Sequence, residues 1–162
     1  MLLSTKEQHI NFLQETILTQ IKEIVNQGQI IFGFMLIAQA VEILGAYLDN
    51  KPLRAKQQSS KRFEIAILKL FPQKYSQNNK HNFLYYQLRT CLTHSFIPSN
   101  KINLKKNNTI NENQHLSINN GVLILILDDF YFDLEKAINK LIRLIESDKI
   151  KLKKISSGKI NE

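Results

Sequence analysis

The sequence predicts a mainly all-α fold, an up-and-down bundle of four to five helices with a β-hairpin inserted before the last helix. Three observations carry this expectation. Apolar residues recur every three or four positions from Ile10 to Ile24, the run Ile30–Leu48 is nearly all apolar, and Asn120-Gly121 separates two short strand-like runs. The first two patterns are helical, and Asn-Gly is a hairpin signal because both residues tolerate positive φ. A chain of 162 residues suits one domain with a proper core. That domain is expected to span 1–148, followed by a basic tail, 149–162, that frays.

Taken in order, Ser4-Thr5-Lys6-Glu7 offers a capping box with Ser4 as N-cap, and Ile10, Leu13, Ile17, Ile21 and Ile24 form the apolar stripe of a first helix ending near Gly28. The second helix, Ile30 to Leu48, approaches a membrane span in length. Gln39 and Glu42 interrupt it, and these, with Gly33, Gly45 and polar flanks, favour a buried central helix. Gln39 and Glu42 share a face and need partners if buried. Asp49-Asn50-Lys51-Pro52 breaks this helix, and a basic stretch then runs into a third one with Ile65, Leu68 and Phe71 as its apolar side. Within that stretch Arg54, Lys56, Lys61 and Arg62 are candidate contacts to an RNA backbone, against the plainer reading of a solvated loop and helix start.

Pro72 ends the third helix, Tyr75 to Asn82 reads as a polar connector, and a fourth helix follows from about His81 to Phe96. The hairpin is placed at about 100–127. Lys101 to Lys105 and His115 to Ile118 alternate, and Val122 to Leu127 makes a buried strand that something must cover. Asp128-Asp129 is placed to cap a last helix whose apolar side is Phe130, Leu134, Ala137, Ile138, Leu141 and Ile145.

Lys and Arg total 22 against 14 Asp and Glu, a net charge of +8 that permits contact with nucleic acid, an anionic membrane surface or an acidic partner protein. Cys91 is the single cysteine, so no internal disulfide forms and a reducing compartment is expected; it reads better as a small buried residue than as a nucleophile. Met1-Leu2-Leu3 gives way at once to polar residues rather than to a secretory signal, which sets a cytoplasmic expectation with no membrane contact. No zinc spacing, carboxylate metal cluster, glycine-rich phosphate loop or nucleophile elbow occurs, so no metal and no cofactor is expected.

The chemistry-bearing motif is Arg89-Thr90-Cys91-Leu92-Thr93-His94. Histidine moves protons near neutral pH, and arginine clamps a phosphate whose charge grows in the transition state. Such a pair can cleave RNA without a metal. Residues five apart lie about 140° apart on an α-helix, so one helix alone does not build the site. Thr90 is a supporting phosphate contact, and Glu42 either salt-bridges Arg89 or orients His94, the structural contact being slightly favoured. His9 and His115 lack any constellation of their own, and His81 reads as a surface residue.

Two long helices, a third, a helix ending in Arg89-x4-His94 and a terminal helix resemble the HEPN superfamily of small helical domains. The specific support lies in Leu88 to Phe96 and in Glu42 and Gly45. The resemblance implies a homodimer that brings two Arg–His motifs into one groove. It also implies a metal-independent endoribonuclease or RNA-binding protein of a toxin–antitoxin or other defence system, with an antitoxin or other protein as a further partner. Arg89 and His94 would then be catalytic. Two departures count against activity: Thr90 stands where active members often carry Asn, Asp or His, and Phe96 stands where some carry Tyr. The alternative is a non-catalytic HEPN-like dimeric interaction or regulatory module.

Overall fold

The computed structural model describes residues 3–107 and 114–153. It is predominantly helical with a small three-stranded sheet. Helix α1 runs continuously through Lys6–Asn11, the π-helical Phe12–Thr19 and Gln20–Asn26. Its cap is one residue later than expected. Thr5 Oγ1 accepts from Gln8 N at 3.2 Å, and Gln8 Oε1 gathers Ser4 N, Ser4 Oγ and Thr5 N at 2.9, 3.0 and 3.3 Å. A glutamine at this position reaches back as Glu7 would have to, so the box shifts to Thr5–Gln8. Leu13, Ile17, Ile21 and Val25 are buried, and the helix closes at Gly28, whose φ of +73° suits a residue without Cβ.

Helix α2 (Ile30–Leu48) forms the centre of the bundle, with Phe34, Ile37, Ala38, Val41 and Leu44 fully buried. It is long and apolar enough to cross a membrane by length and composition, but 56% of its most apolar window is buried inside the protein. It serves here as a core helix.

Helix α3 (Ser59–Leu70) turns inward a side that only partly coincides with the expected one: Phe71, its C-cap, is buried as expected and Ile65 is half-buried. Phe63, Ala66, Ile67 and Leu70 are buried, while Leu68 is exposed. The cause is Gly45. A Cβ built there would lie 1.8 Å from the Arg62 carbonyl oxygen, so α2 and α3 touch backbone to backbone at this point. That contact fixes the rotation of α3.

The expected connector after Pro72 is a short helix, α4 (Gln73–Asn78), which buries Tyr75 completely. A 3-10 turn, Lys80–Asn82, with His81 at φ 53°, precedes α5. This helix is π-helical over Tyr85–Cys91 and α-helical over Leu92–Ser95, so it starts later than expected.

Strands β1 (Ile102–Lys105), β2 (Ser117–Asn119) and β3 (Val122–Ile126) form one sheet in the order β1-β3-β2. The expected hairpin is β2–β3, closed by Asn120 and Gly121 at φ 50° and 78°. Strand β1 was not anticipated as its neighbour: it runs parallel to β3, with Ile102 opposite Leu123. Leu127 belongs to helix α6 (Leu127–Glu146) rather than to the strand. Asp128 and Asp129 lie in the first turn of α6 instead of capping it, the N-cap being Ile126. Asp128 accepts instead from Lys106 at 2.7 Å. The apolar side of α6 is buried at every position expected from the sequence.

The first residues of the expected tail are held. Lys149 N donates to Leu144 O, Ile150 and Leu152 pack on the core, and the Lys153 ammonium reaches the Ala46 carbonyl and Asp49. Residues 154–162, the rest of that tail, lie outside the described residues.

His115 has a constellation after all. Ile126 N–H donates to its Nδ1 at 2.9 Å, which leaves Nε2 to carry the ring proton and donate to the Tyr75 hydroxyl at 2.8 Å. Tyr75 passes a hydrogen bond to Asp133 Oδ2 at 3.0 Å, so the relay pins the sheet to α4 and α6. Burial, with the charge of Lys74 acting in the same direction, holds His115 down to about 4. Burial lowers His9 as well, the Lys153 backbone partly opposing it; its Nδ1 pairs with the Tyr47 hydroxyl at 2.8 Å. In a depressed histidine the unfolded chain takes up the proton first, so stability falls as pH drops through the window from 6.5 to about 4. For His115 the expected loss is roughly 3 kcal/mol, measured as urea stability against pH, and His115→Gln should flatten that slope. A profile unchanged by the substitution would remove His115 as its cause.

Candidate functional site

Leu84, Leu88 and Leu92 seat α5 against the core, and buried Gln87 accepts a hydrogen bond from Ser99 Oγ. With that side fixed inward, Arg89 and Thr93 come to the edge facing α2, and His94 turns out to solvent. The helix stops at Phe96, which takes the left-handed conformation with φ 57° while its N–H still bonds Leu92 O at 2.9 Å. The stop therefore precedes Pro98.

Arg89 Nε donates to Glu42 Oε2 at 3.2 Å, and Nη1 donates to Thr93 Oγ1 at 3.2 Å. Glu42 Oε1 accepts from Ser59 Oγ at 2.7 Å. One carboxylate thus joins α2, the start of α3 and α5. The side chains of this ion pair are 27% and 16% exposed for Arg89 and Glu42, so the pair sits at the rim rather than in the core. Arg89 Nη2 has no hydrogen-bond partner among the described residues, and the guanidinium keeps an edge for an anion.

His94 is exposed and makes no hydrogen bond to any described residue. The two motif side chains do not bond each other. The π-helical turn through Arg89, in which backbone bonds reach five residues on, narrows the angular gap that a pure α-helix would impose between positions five apart. Thr90 is half-buried and unbonded to the described residues.

Among the basic candidates, Arg54, Lys56 and Lys61 are exposed. Arg62 is not; it is 4% exposed, and Asp49 Oδ2, Leu53 O and Pro52 O each take a hydrogen bond from it at 2.7 Å. Its guanidinium holds the α2–α3 loop and offers no face to a nucleic-acid backbone. Asp49 completes that bracket. Burial alone would raise its carboxyl, but hydrogen bonds from Arg62, Lys153 and the Lys51 backbone outweigh this and bring it to about 2.

The sequence reading overlooked Ser59 and Thr93. Thr93 was within reach of sequence reasoning, since it stands four residues after Arg89 on one helical edge; no local signal marks Ser59. Cys91 is free and partly buried. Among the described residues no group of three His, Cys, Asp or Glu side chains gathers as a metal site. A groove of about 710 Å³ lies between α1 and α2, lined by residues such as Phe12, Thr16, Leu36 and Ile43. It contains none of the motif side chains, so chemistry rather than volume locates the site.

Fold and site together define a small, mainly helical domain with an arginine–carboxylate pair and an exposed histidine at one helix end. No protein-family model, curated protein or solved structure matches the chain.

Proposed function

We propose that this protein is a HEPN-like, metal-independent endoribonuclease that works as a homodimer in a cytoplasmic defence or toxin–antitoxin setting. The observation that carries the reading is the division of labour at α5: Glu42 and Thr93 position Arg89, whose Nη2 has no partner among the described residues, and His94 stands exposed and bonded to none of them. In the proposed reaction His94 takes the 2′-hydroxyl proton of a ribose. The 2′-oxygen attacks the adjacent phosphorus and the bond to the 5′-oxygen breaks. The imidazolium of the second copy returns a proton to that 5′-oxygen. Arg89 bears on the phosphorane charge. The products are a 2′,3′-cyclic phosphate and a 5′-hydroxyl. Arg54, Lys56 and Lys61 add electrostatic attraction for the strand.

The test is cleavage of mixed single-stranded RNA in excess EDTA. His94→Ala should cost at least about a hundredfold and Arg89→Ala a comparable factor, with both variants folded. Equal cleavage by wild type and both variants sinks the reading.

A second reading, a non-catalytic dimeric interaction module, is favoured by the apolar groove between α1 and α2 and by exposed Leu36 at its edge. It predicts no cleavage by wild type and a stoichiometric protein partner on co-purification.

A further inference from the structure

We propose that Phe32 and Phe96 form the base-stacking platform of the RNA site, holding the base beside the phosphate that Arg89 and His94 engage. The proposal rests on the ribonuclease reading and adds the group that positions its substrate. Phe96 is 53% exposed and Phe32 50% exposed, and their ring centroids lie 5.7 Å apart at 58°. An exposed aromatic pair leaves π-faces open that a base of any identity fills. Phe96 follows His94 by two residues, directly at the end of α5. Its φ of 57° is costly for a bulky residue, and such conformations cluster at ligand clamps.

Placement decides between a base and a protein side chain as occupant. Glu42 meets Arg89, and Phe32 meets Phe96, so α2 and α5 run antiparallel with the motif between these two contacts. Arg89 and Phe96 are seven positions apart, about 10 Å along a helix, so one short length of strand reaches both. At the Arg89 end lies Ser59, from which the loop carrying Arg54 and Lys56 leads away and after which Lys61 follows. The strip therefore carries the Arg89 guanidinium at one end and two exposed rings at the other, the division that a phosphate-plus-base ligand requires and an apolar partner helix does not.

The experiment uses the full chain with His94→Ala, so that RNA stays intact, and a single-stranded RNA carrying 2-aminopurine at successive positions. Binding is read by anisotropy and stacking by 2-aminopurine quenching. Quenching at one position is expected, with Phe96→Ala and Phe32→Ala each removing most of it and weakening binding about tenfold. Phe96→Tyr should retain both signals. Binding without quenching, or Phe variants that bind and quench like the parent, would overturn the platform while leaving the nuclease intact. Failure to bind RNA at all would overturn it too, and so would a change of oligomeric state in Phe96→Ala by light scattering, which would make the pair a protein interface. Quenching that depends on both rings, in a chain that does not cleave with His94 restored, would keep the platform and remove the nuclease.

Discussion

Gly45→Ala should lower the stability of this domain by about 3 kcal/mol, the upper end for an overpacked core, and depress the melting temperature by roughly 10 °C. Glycine inside a helix ordinarily costs about 1 kcal/mol against alanine, so the default expectation for this substitution in α2 is a gain. Geometry reverses the sign. The new Cβ would stand 1.8 Å from the Arg62 carbonyl oxygen, 2.4 Å from its carbon and 2.7 Å from its Cα. These are backbone atoms and cannot rotate away, so α3 must withdraw as a unit. That loosens Phe63, Ala66 and Ile67 against the core, and it strains the Ser59–Glu42 and Arg62–Asp49 contacts that tie α3 to α2. Gly33→Ala is the internal comparison. Its Cβ would meet Leu127 Cδ1 at 2.8 Å, the end of a side chain that has other rotamers, and a change within about 1 kcal/mol is expected. Thermal melts of the two variants side by side decide the matter: equal shifts would mean that the α2–α3 contact does not depend on a missing side chain.

The glycine explains why some of the fold was legible in the sequence and some was not. An almost unbroken apolar run placed α2, and periodicity placed the buried side of α6, which has one apolar stripe and one way to hide it. Helix α3 offers two overlapping stripes; of the expected Ile65, Leu68 and Phe71, Phe71 is buried and Leu68 is not, and Phe63–Ala66–Ile67–Leu70 is turned inward by a close approach at Gly45 that no local pattern encodes. The β2–β3 turn was visible in Asn120-Gly121, whereas the parallel partner β1 is separated from β3 by the segment that includes β2 and leaves no local trace. At the site, Arg89 and His94 stood out by residue type, and Glu42 by its polarity on an apolar helix. Their pairing was only one of two options until α5 was placed against α2. Arg62 shows the opposite failure: in a run of basic residues it looked like its neighbours, but the rotation of α3 turns it inward onto Asp49.

That inward turn sets the second large effect. Asp49→Ala should cost about 3 to 5 kcal/mol, because it strands the Arg62 charge in the interior, where its side chain is 5% exposed. The carbonyls of Pro52 and Leu53 would still accept from the guanidinium, but dipoles do not replace a counter-charge. Lys153 loses its carboxylate as well, which frees the strap of chain from Lys149 onward. The origin of the loss is separable from simple packing. Adding Arg62→Met to Asp49→Ala removes the stranded charge, and the double variant should be more stable than Asp49→Ala alone, since buried pairs exchange for apolar side chains at little net cost. A double variant weaker than Asp49→Ala would show that Arg62 contributes through its carbonyl bonds and not through charge. The wild-type acid profile gives a second handle. With the Asp49 carboxyl brought to about 2 from its ordinary 3.8, the unfolded chain protonates first, so the stability due to this carboxylate is complete above pH 4 and is lost as pH falls toward 2. That window lies below the one set by His115. The acid loss should therefore come in two stages, with His115→Gln flattening only the upper stage and the Asp49 variants only the lower.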